Sequence, residues 1–149
     1  MQVINNSRPE YLPRLEQLLY GNNYSVSIDL YGPLDANRPL IEVLKSAVNS
    51  SCEVPRSTLI SVDEARAHIL ESLLYSGDPA AGPIDLPAKC SEITSLVEQL
   101  LEGAQVNKAD AIYSFHLAKG HPGYPVWWEF ALDVHARGSR WILLGCSSD

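Results

Sequence analysis

Residues 126–146 constrain this chain more than any other stretch. Val126 to His135 and Arg140 to Cys146, on either side of Arg137-Gly138, are rich in aromatic and branched residues and read as strands. A two-residue loop at that pair closes a tight hairpin. Because the side-chain period is two, placing the turn fixes the register: Val134 faces Trp141, Leu132 faces Leu143 and Phe130 faces Gly145. Trp128, Phe130, Leu132, Val134, Trp141 and Leu143 then share one apolar face. Trp127, Glu129, Asp133, His135 and Arg140 share the opposite face, which is expected to point outward.

The rest of the chain supplies partners for that apolar face. Residues 111–117 read as a third strand. Tyr24, Val26, Ile28 and Leu30 alternate with Ser25, Ser27 and Asp29 as a fourth, ended by Gly32-Pro33. Four segments have helical period instead. Ser7 and Glu10 have capping-box spacing ahead of Tyr11, Leu15, Leu18 and Leu19, with Gly21 as a stop and Pro13 delaying regular helix to about Leu12. A second helix begins near Pro39; its broad apolar surface (Leu40, Ile41, Val43, Leu44, Ala47, Val48) predicts deep burial. The third has the clearest start, a capping box of Ser61 and Glu64, followed by a stripe of Val62, Ala65, Ile69, Leu70, Leu73 and Leu74. It is closed by Gly77-Asp78-Pro79, and residues 77–87, with two glycines and three prolines, are expected to be an irregular loop. Ile93, Leu96, Val97, Leu100 and Leu101 mark the fourth, ending at Gly103. The expectation is a single α+β domain over residues 1–149, with about four helices on one face of a mainly antiparallel sheet of three to four strands and a C-terminal β-meander.

Composition narrows the functional classes. With 149 residues, 46% hydrophobic and 19% charged, the chain has globular composition. Its net charge of −7 argues against nucleic acid and against an anionic membrane surface as partners. No apolar run approaches a membrane span, no secretory signal is visible, and Cys52, Cys90 and Cys146 form neither a disulfide framework nor a zinc ribbon. A reducing cytoplasm is the expected compartment.

The chemistry-bearing residues do not assemble into a known motif. Glu129 and Asp133 lie about 13 Å apart along one strand, beyond the 5–9.5 Å of paired glycosidase carboxylates. His116, His121, Glu129 and His135 would need to converge to bind a metal. Glu64, His68 and Glu71 share a helical face but match no helical zinc motif, and read as solvated. Cys146 faces Glu129, whose charge raises the thiol pKa. No nucleophile elbow and no glycine-rich phosphate loop occurs. No catalytic residue, metal or cofactor is assigned. The loop Lys119-Gly120-His121-Pro122-Gly123-Tyr124-Pro125 has definite turns, and His121 and Tyr124 are side chains of the kind that anchor partners; a wide hairpin connection is the plain alternative.

Tyr124-Pro125-Val126-Trp127-Trp128-Glu129-Phe130, followed by residues 140–149, is similar to the C-terminal hairpins of bacterial immunity proteins, the partners of secreted polymorphic toxins. The resemblance covers about 26 residues, a sixth of the chain. It implies a role, inhibition by contact, and transfers no binding residue. Residues 51–100 hold eight acids and three bases, a local charge of −5, with Asp63, Glu64, Glu71, Glu92 and Glu98 on two helix faces. Such faces suit a basic toxin domain, although helices also turn charge to water for solubility alone. The expectation is a non-enzymatic binding protein that occludes a protein partner. Trp127, Glu129, Asp133, His135 and Arg140 with His121 and Tyr124 form one candidate surface, and Glu64, Glu71 and Glu98 the other. A small hydrolase with a site near residues 116–135, or a structural or ligand-binding subunit, is the alternative.

Overall fold

A computed structural model describes residues 9–54, 56–77 and 80–149. In chain order these form α1 (Tyr11–Leu19), β1 (Gly21–Asn22), β2 (Ser25–Asp35), α2 (Leu40–Ala47), β3 (Ser57–Ile60), α3 (Val62–Leu73), β4 (Gly82–Pro83), α4 (Leu86–Gly103), a 3-10 turn (Val106–Lys108), β5 (Ala111–Phe115), β6 (Glu129–Ala136) and β7 (Ser139–Ser148). Five strands make one antiparallel sheet in the order β2-β7-β6-β5-β3, and β1 pairs with β4 in a second, two-stranded sheet. The chain is therefore α+β, with more strands than the sequence pattern predicts. No helix among the described residues is long and apolar enough to cross a membrane.

The β6–β7 hairpin has the register its period demands: Val134 pairs with Trp141, Leu132 with Leu143 and Phe130 with Gly145. Arg137 (φ 54°) and Gly138 (φ 77°) both adopt left-handed backbone, as the tightest hairpin turn requires. Phe130, Leu132, Val134 and Leu143 then pack beneath α1, α3 and α4 in the larger of two cores. At its centre the Phe130 ring stacks on Trp128 (5.7 Å between centroids) and meets the edge of His68 (6.2 Å). Gly145 lies against that ring, where a Cβ would overlap it.

The sheet's other face is covered too, which corrects the expectation of helices on one side only. Tyr31, Phe115, Ala131, Ile142 and Leu144 pack with Cys52 and with Val43 and Leu44 of α2 in a second, smaller core. Leu40, Ile41, Ala47 and Val48 only line its margin, so α2 is half-buried rather than deeply buried.

Local signals explain the elements and the departures from them. In α3 the Ser61 hydroxyl accepts from the Glu64 amide (3.0 Å) and the Glu64 carboxylate accepts from the Ser61 amide (2.9 Å), the reciprocal capping box read from the sequence. Helix α1 begins at Tyr11, ahead of Pro13, because first-turn amides have no intrahelical acceptor and proline loses nothing there. Ser7 lies outside the described residues, so its cap does too. Strand β2 runs through Gly32-Pro33, a cis peptide, with a register shift between Tyr31 and Leu34, and ends at Asp35. Asp78 and Pro79 of the expected loop also lie outside the described residues. The remainder of that loop holds β4 and the first turn of α4, where Pro87 again occupies a first-turn position.

Replacing Gly145 by Ala should cost about 1–3 kcal/mol, because the methyl must displace a ring held on two sides. Urea unfolding with an unchanged slope checks this, and a wild-type midpoint would show that Phe130 can move aside.

Candidate functional site

The five hairpin residues expected to face outward separate into two groups and a stray. Asp133 and Arg140 are buried, at 3% and 5% exposure. The Arg140 guanidinium donates from Nε to Asp133 Oδ1 (2.8 Å) and from Nη1 to the carbonyl of Arg38 (2.8 Å) and, more weakly, to that of Asp35 (3.4 Å). His135 Nε2 lies 3.2 Å from Asp133 Oδ1 and 3.3 Å from Arg140 Nη2, and its ring meets the edge of Tyr113 at 5.7 Å. This cluster ties the connection between β2 and α2 to the middle of the sheet. Its polarity, which reads as a solvated face in the sequence, instead serves the second core, since a buried arginine must find acceptors for its donors. Asp133 and Arg140 are thus unavailable as a contact surface.

Trp127 is the stray. Strand β6 starts only at Glu129, so the alternation does not extend back to Trp127; its half-buried indole packs against the larger core, with Nε1 shielded and unpartnered among the described residues. Its neighbour Trp128 donates from Nε1 to the Tyr24 hydroxyl (2.8 Å).

Glu129 marks the other group. It pairs with Cys146 across the hairpin, and its Oε1 lies 3.1 Å from His116 Nδ1. The Cys146 thiol is pushed above its ordinary value mainly by burial, which the charges of Glu129 and Asp29 reinforce and hydrogen bonds to Ser27 and Ser148 oppose. That disfavours the thiolate, the nucleophilic form. The histidines do not converge. His116 and His121 are close enough for the charge of one to act on the other, whereas His135 is six residues along β6 from Glu129, about 20 Å away. Among the described residues no group of three His, Cys, Asp or Glu side chains is placed to hold a metal ion.

The connection from β5 to β6 crosses the end of the sheet next to Glu129, and it is braced at nearly every step. Glu53 and Lys119 exchange a backbone bridge (Glu53 N to Lys119 O, 3.2 Å; Ala118 N to Glu53 O, 2.8 Å), supplemented by an exposed ion pair at 3.6 Å. The Cys52 thiol donates to the Gly120 carbonyl (3.7 Å), and the Gly123 amide donates to His121 Nδ1 (3.0 Å). The Ser148 hydroxyl donates to the Tyr124 carbonyl, and the Val126 amide to the Ser147 carbonyl (2.8 Å). Yet Tyr124 is 75% exposed and Val126 is 40% exposed. Of the hairpin-side candidates, Tyr124 is the side chain this bracing leaves free to touch a partner.

On the helices, charges pair over distances no sequence pattern shows. Glu98 is held by Arg66 (2.7 Å), which also donates to Asn107, and Glu92 takes two bonds from Arg14 (2.8 and 3.1 Å). The Arg14 hydrogen bond holds the Glu92 carboxyl below its usual range. Glu98, placed in the sequence on a polar helix face, is thus paired with Arg66 while remaining partly exposed. Glu64 caps α3 with one oxygen while remaining exposed, and Asp63 and Glu71 are exposed without an ion-pair partner among the described residues. The acidic surface contracts to Asp63, Glu64 and Glu71 on α3. Sequence reading missed Arg14, Arg66 and the exposed strand β3; for β3 the signal was a short branched run, Ser57-Thr58-Leu59-Ile60.

No family model matches this chain, and no curated protein matches it. Among solved structures, citrus MAF1 is similar in fold: the TM-score is 0.51 at 12% identity, covering 93% of this chain and 98% of that one. At that identity the likeness shows the fold alone.

Two consequences can be measured. Asp133→Ala should cost about 3–5 kcal/mol, because Arg140 keeps its charge and its burial without its carboxylate, whereas Asp133→Leu with Arg140→Met should recover only part of the loss, since the Arg38 and Asp35 carbonyls then lose their donor. Equal stabilities of the single and double variants by urea unfolding would contradict this. The second concerns His121, whose pKa is lowered from the ordinary 6.5 by burial and, secondarily, by the charge of His116. Its hydrogen bond from Gly123 also needs Nδ1 unprotonated. The unfolded chain thus takes up the proton first, so this contribution to stability is complete above pH 6.5 and is lost as pH falls towards the lower folded value. Amide exchange at Gly123 should accelerate beyond its intrinsic pH dependence over that window, and no longer do so in His121→Phe.

Proposed function

We propose that this chain is a non-enzymatic, cytoplasmic binding protein that occludes a protein partner by contact, in the manner of an immunity-type inhibitor, with a basic toxin domain as the partner. The observation that carries this reading is the braced 119–126 connection, which holds an exposed tyrosine on a backbone fixed by hydrogen bonds from three directions. A preorganised aromatic loses little conformational entropy on binding, and such residues dominate interface energetics. The exposed acids of α3 add the steering field a basic partner would feel. Glu129, largely enclosed and beside His116, supports the loop rather than forming its contact surface. The hydrolase alternative has less support, because His135 belongs to the Arg140 cluster and lies far from His116 and His121.

Association with a basic toxin domain encoded beside this chain tests the reading. Tyr124→Ala should weaken binding at least about tenfold, mainly through faster dissociation. Glu64→Lys with Glu71→Lys should instead slow association and reduce its salt dependence. Binding indifferent to both changes would sink the proposal, as would turnover of a substrate that depended on His116 or His121.

A further inference from the structure

The two end strands of the five-stranded sheet are treated differently. On β2 the Glu16 carboxylate accepts a hydrogen bond from the Ile28 amide (2.8 Å), Pro33 has no amide to offer, and the register shifts beside it. These are devices that stop further strands from adding. Strand β3 has none of them. Its one strand partner among the described residues is β5, Ser57, Thr58 and Leu59 are exposed, and Leu59 is 63% exposed. In an antiparallel ladder alternate residues direct their N–H and C=O groups away from the neighbouring strand. An evenly spaced row of donors and acceptors of that kind is matched by another extended backbone.

We propose that the free edge of β3 docks against β3 of a second copy of this chain, antiparallel, across a two-fold axis, joining two five-stranded sheets into one. The charges along the edge select that occupant. Arg56 precedes the strand, whereas Asp63 and Glu64 follow it in the first turn of α3, and Asp110 lies two residues outside Ile112, the strand partner of Ile60. The edge is thus basic at one end and acidic at the other. Antiparallel self-pairing brings unlike ends together twice; parallel pairing would bring like ends together. A two-fold axis normal to the sheet preserves its faces only if it passes through a residue position. Placed at Leu59, it packs Leu59 on its own copy, sets Thr58 against Ile60, and brings Arg56 beside the Asp63–Glu64 turn of the second copy. That register covers the most exposed apolar side chain of the strand. The Ser61 amide and carbonyl are already taken by Glu64 and Ala65, so the ladder runs over Thr58, Leu59 and Ile60 of each copy; an interface that small makes the dimer weak, forming in the high micromolar range.

Sedimentation equilibrium of the full chain, from about 10 µM to about 1 mM, tests this together with amide exchange at both ends of that range. The expected result is a reversible dimer whose formation slows exchange within residues 58–60. Leu59→Arg and Arg56→Asp should each weaken it at least tenfold, and Arg56→Asp combined with Asp63→Arg should restore it. A monomer throughout, a dimer that leaves exchange at 58–60 unchanged, or one indifferent to Leu59→Arg would overturn the proposal. All three side chains are exposed, so thermal midpoints should stay near wild type. If a variant fails to fold, the concentration dependence of exchange in the unaltered chain still decides. None of these measurements needs the toxin-type partner, so the outcome is independent of the inhibitory function proposed above.

Discussion

The pairing of β6 with β7 determines where everything else must go. Once Val134 faces Trp141, every second residue of both strands is committed to one side of the sheet. One side receives Phe130, Leu132, Val134 and Leu143, and needs the area of three helices to cover it. The other receives Ala131, Ile142 and Leu144, interrupted by Asp133 and Arg140. The smaller cover supplied by α2 and the Cys52–Val54 segment suits that mixed face. The Arg140 guanidinium does there what apolar packing alone could not, bonding to the two carbonyls that lead from β2 into α2. A short helix with only two fully buried residues thereby acquires a fixed position.

How much of this was legible depends on the range over which the responsible physics acts. The hairpin register, the capping box of α3 and the apolar stripes of α3 and α4 are local, arising from residues two to four apart, and they were readable. The covered second face was not. Asp133, His135 and Arg140 look like solvated residues unless Arg38 is known to lie above them, and nothing near residue 140 announces residue 38. The same applies to Glu98 with Arg66 and Glu92 with Arg14, pairs 32 and 78 residues apart. Strands of two to four residues, such as β1, β3 and β4, carry too few positions for a period to show.

The candidate site was legible to a similar degree. Glycines and prolines marked residues 119–125 as a connection with definite turns, with His121 and Tyr124 as its anchoring side chains; of the two, the structure exposes Tyr124. The bracing came from segments far away in sequence: Cys52 and Glu53 on one side, Ser147 and Ser148 on the other. Because this loop is anchored to both the middle of the chain and the C-terminal strand, it is coupled to global stability. The loop therefore keeps its shape for as long as the sheet does.

The Glu16 carboxylate on the Ile28 amide reaches beyond its own hydrogen bond. A sheet with two open edges is a monomer for a fibre, since each addition exposes another acceptor surface. A sheet with one edge capped is a chain terminator: whatever joins its free side ends the growth. In the β3-paired dimer proposed above, the Glu16 bond on each outer strand would leave no open edge for a third copy, so assembly would close at two.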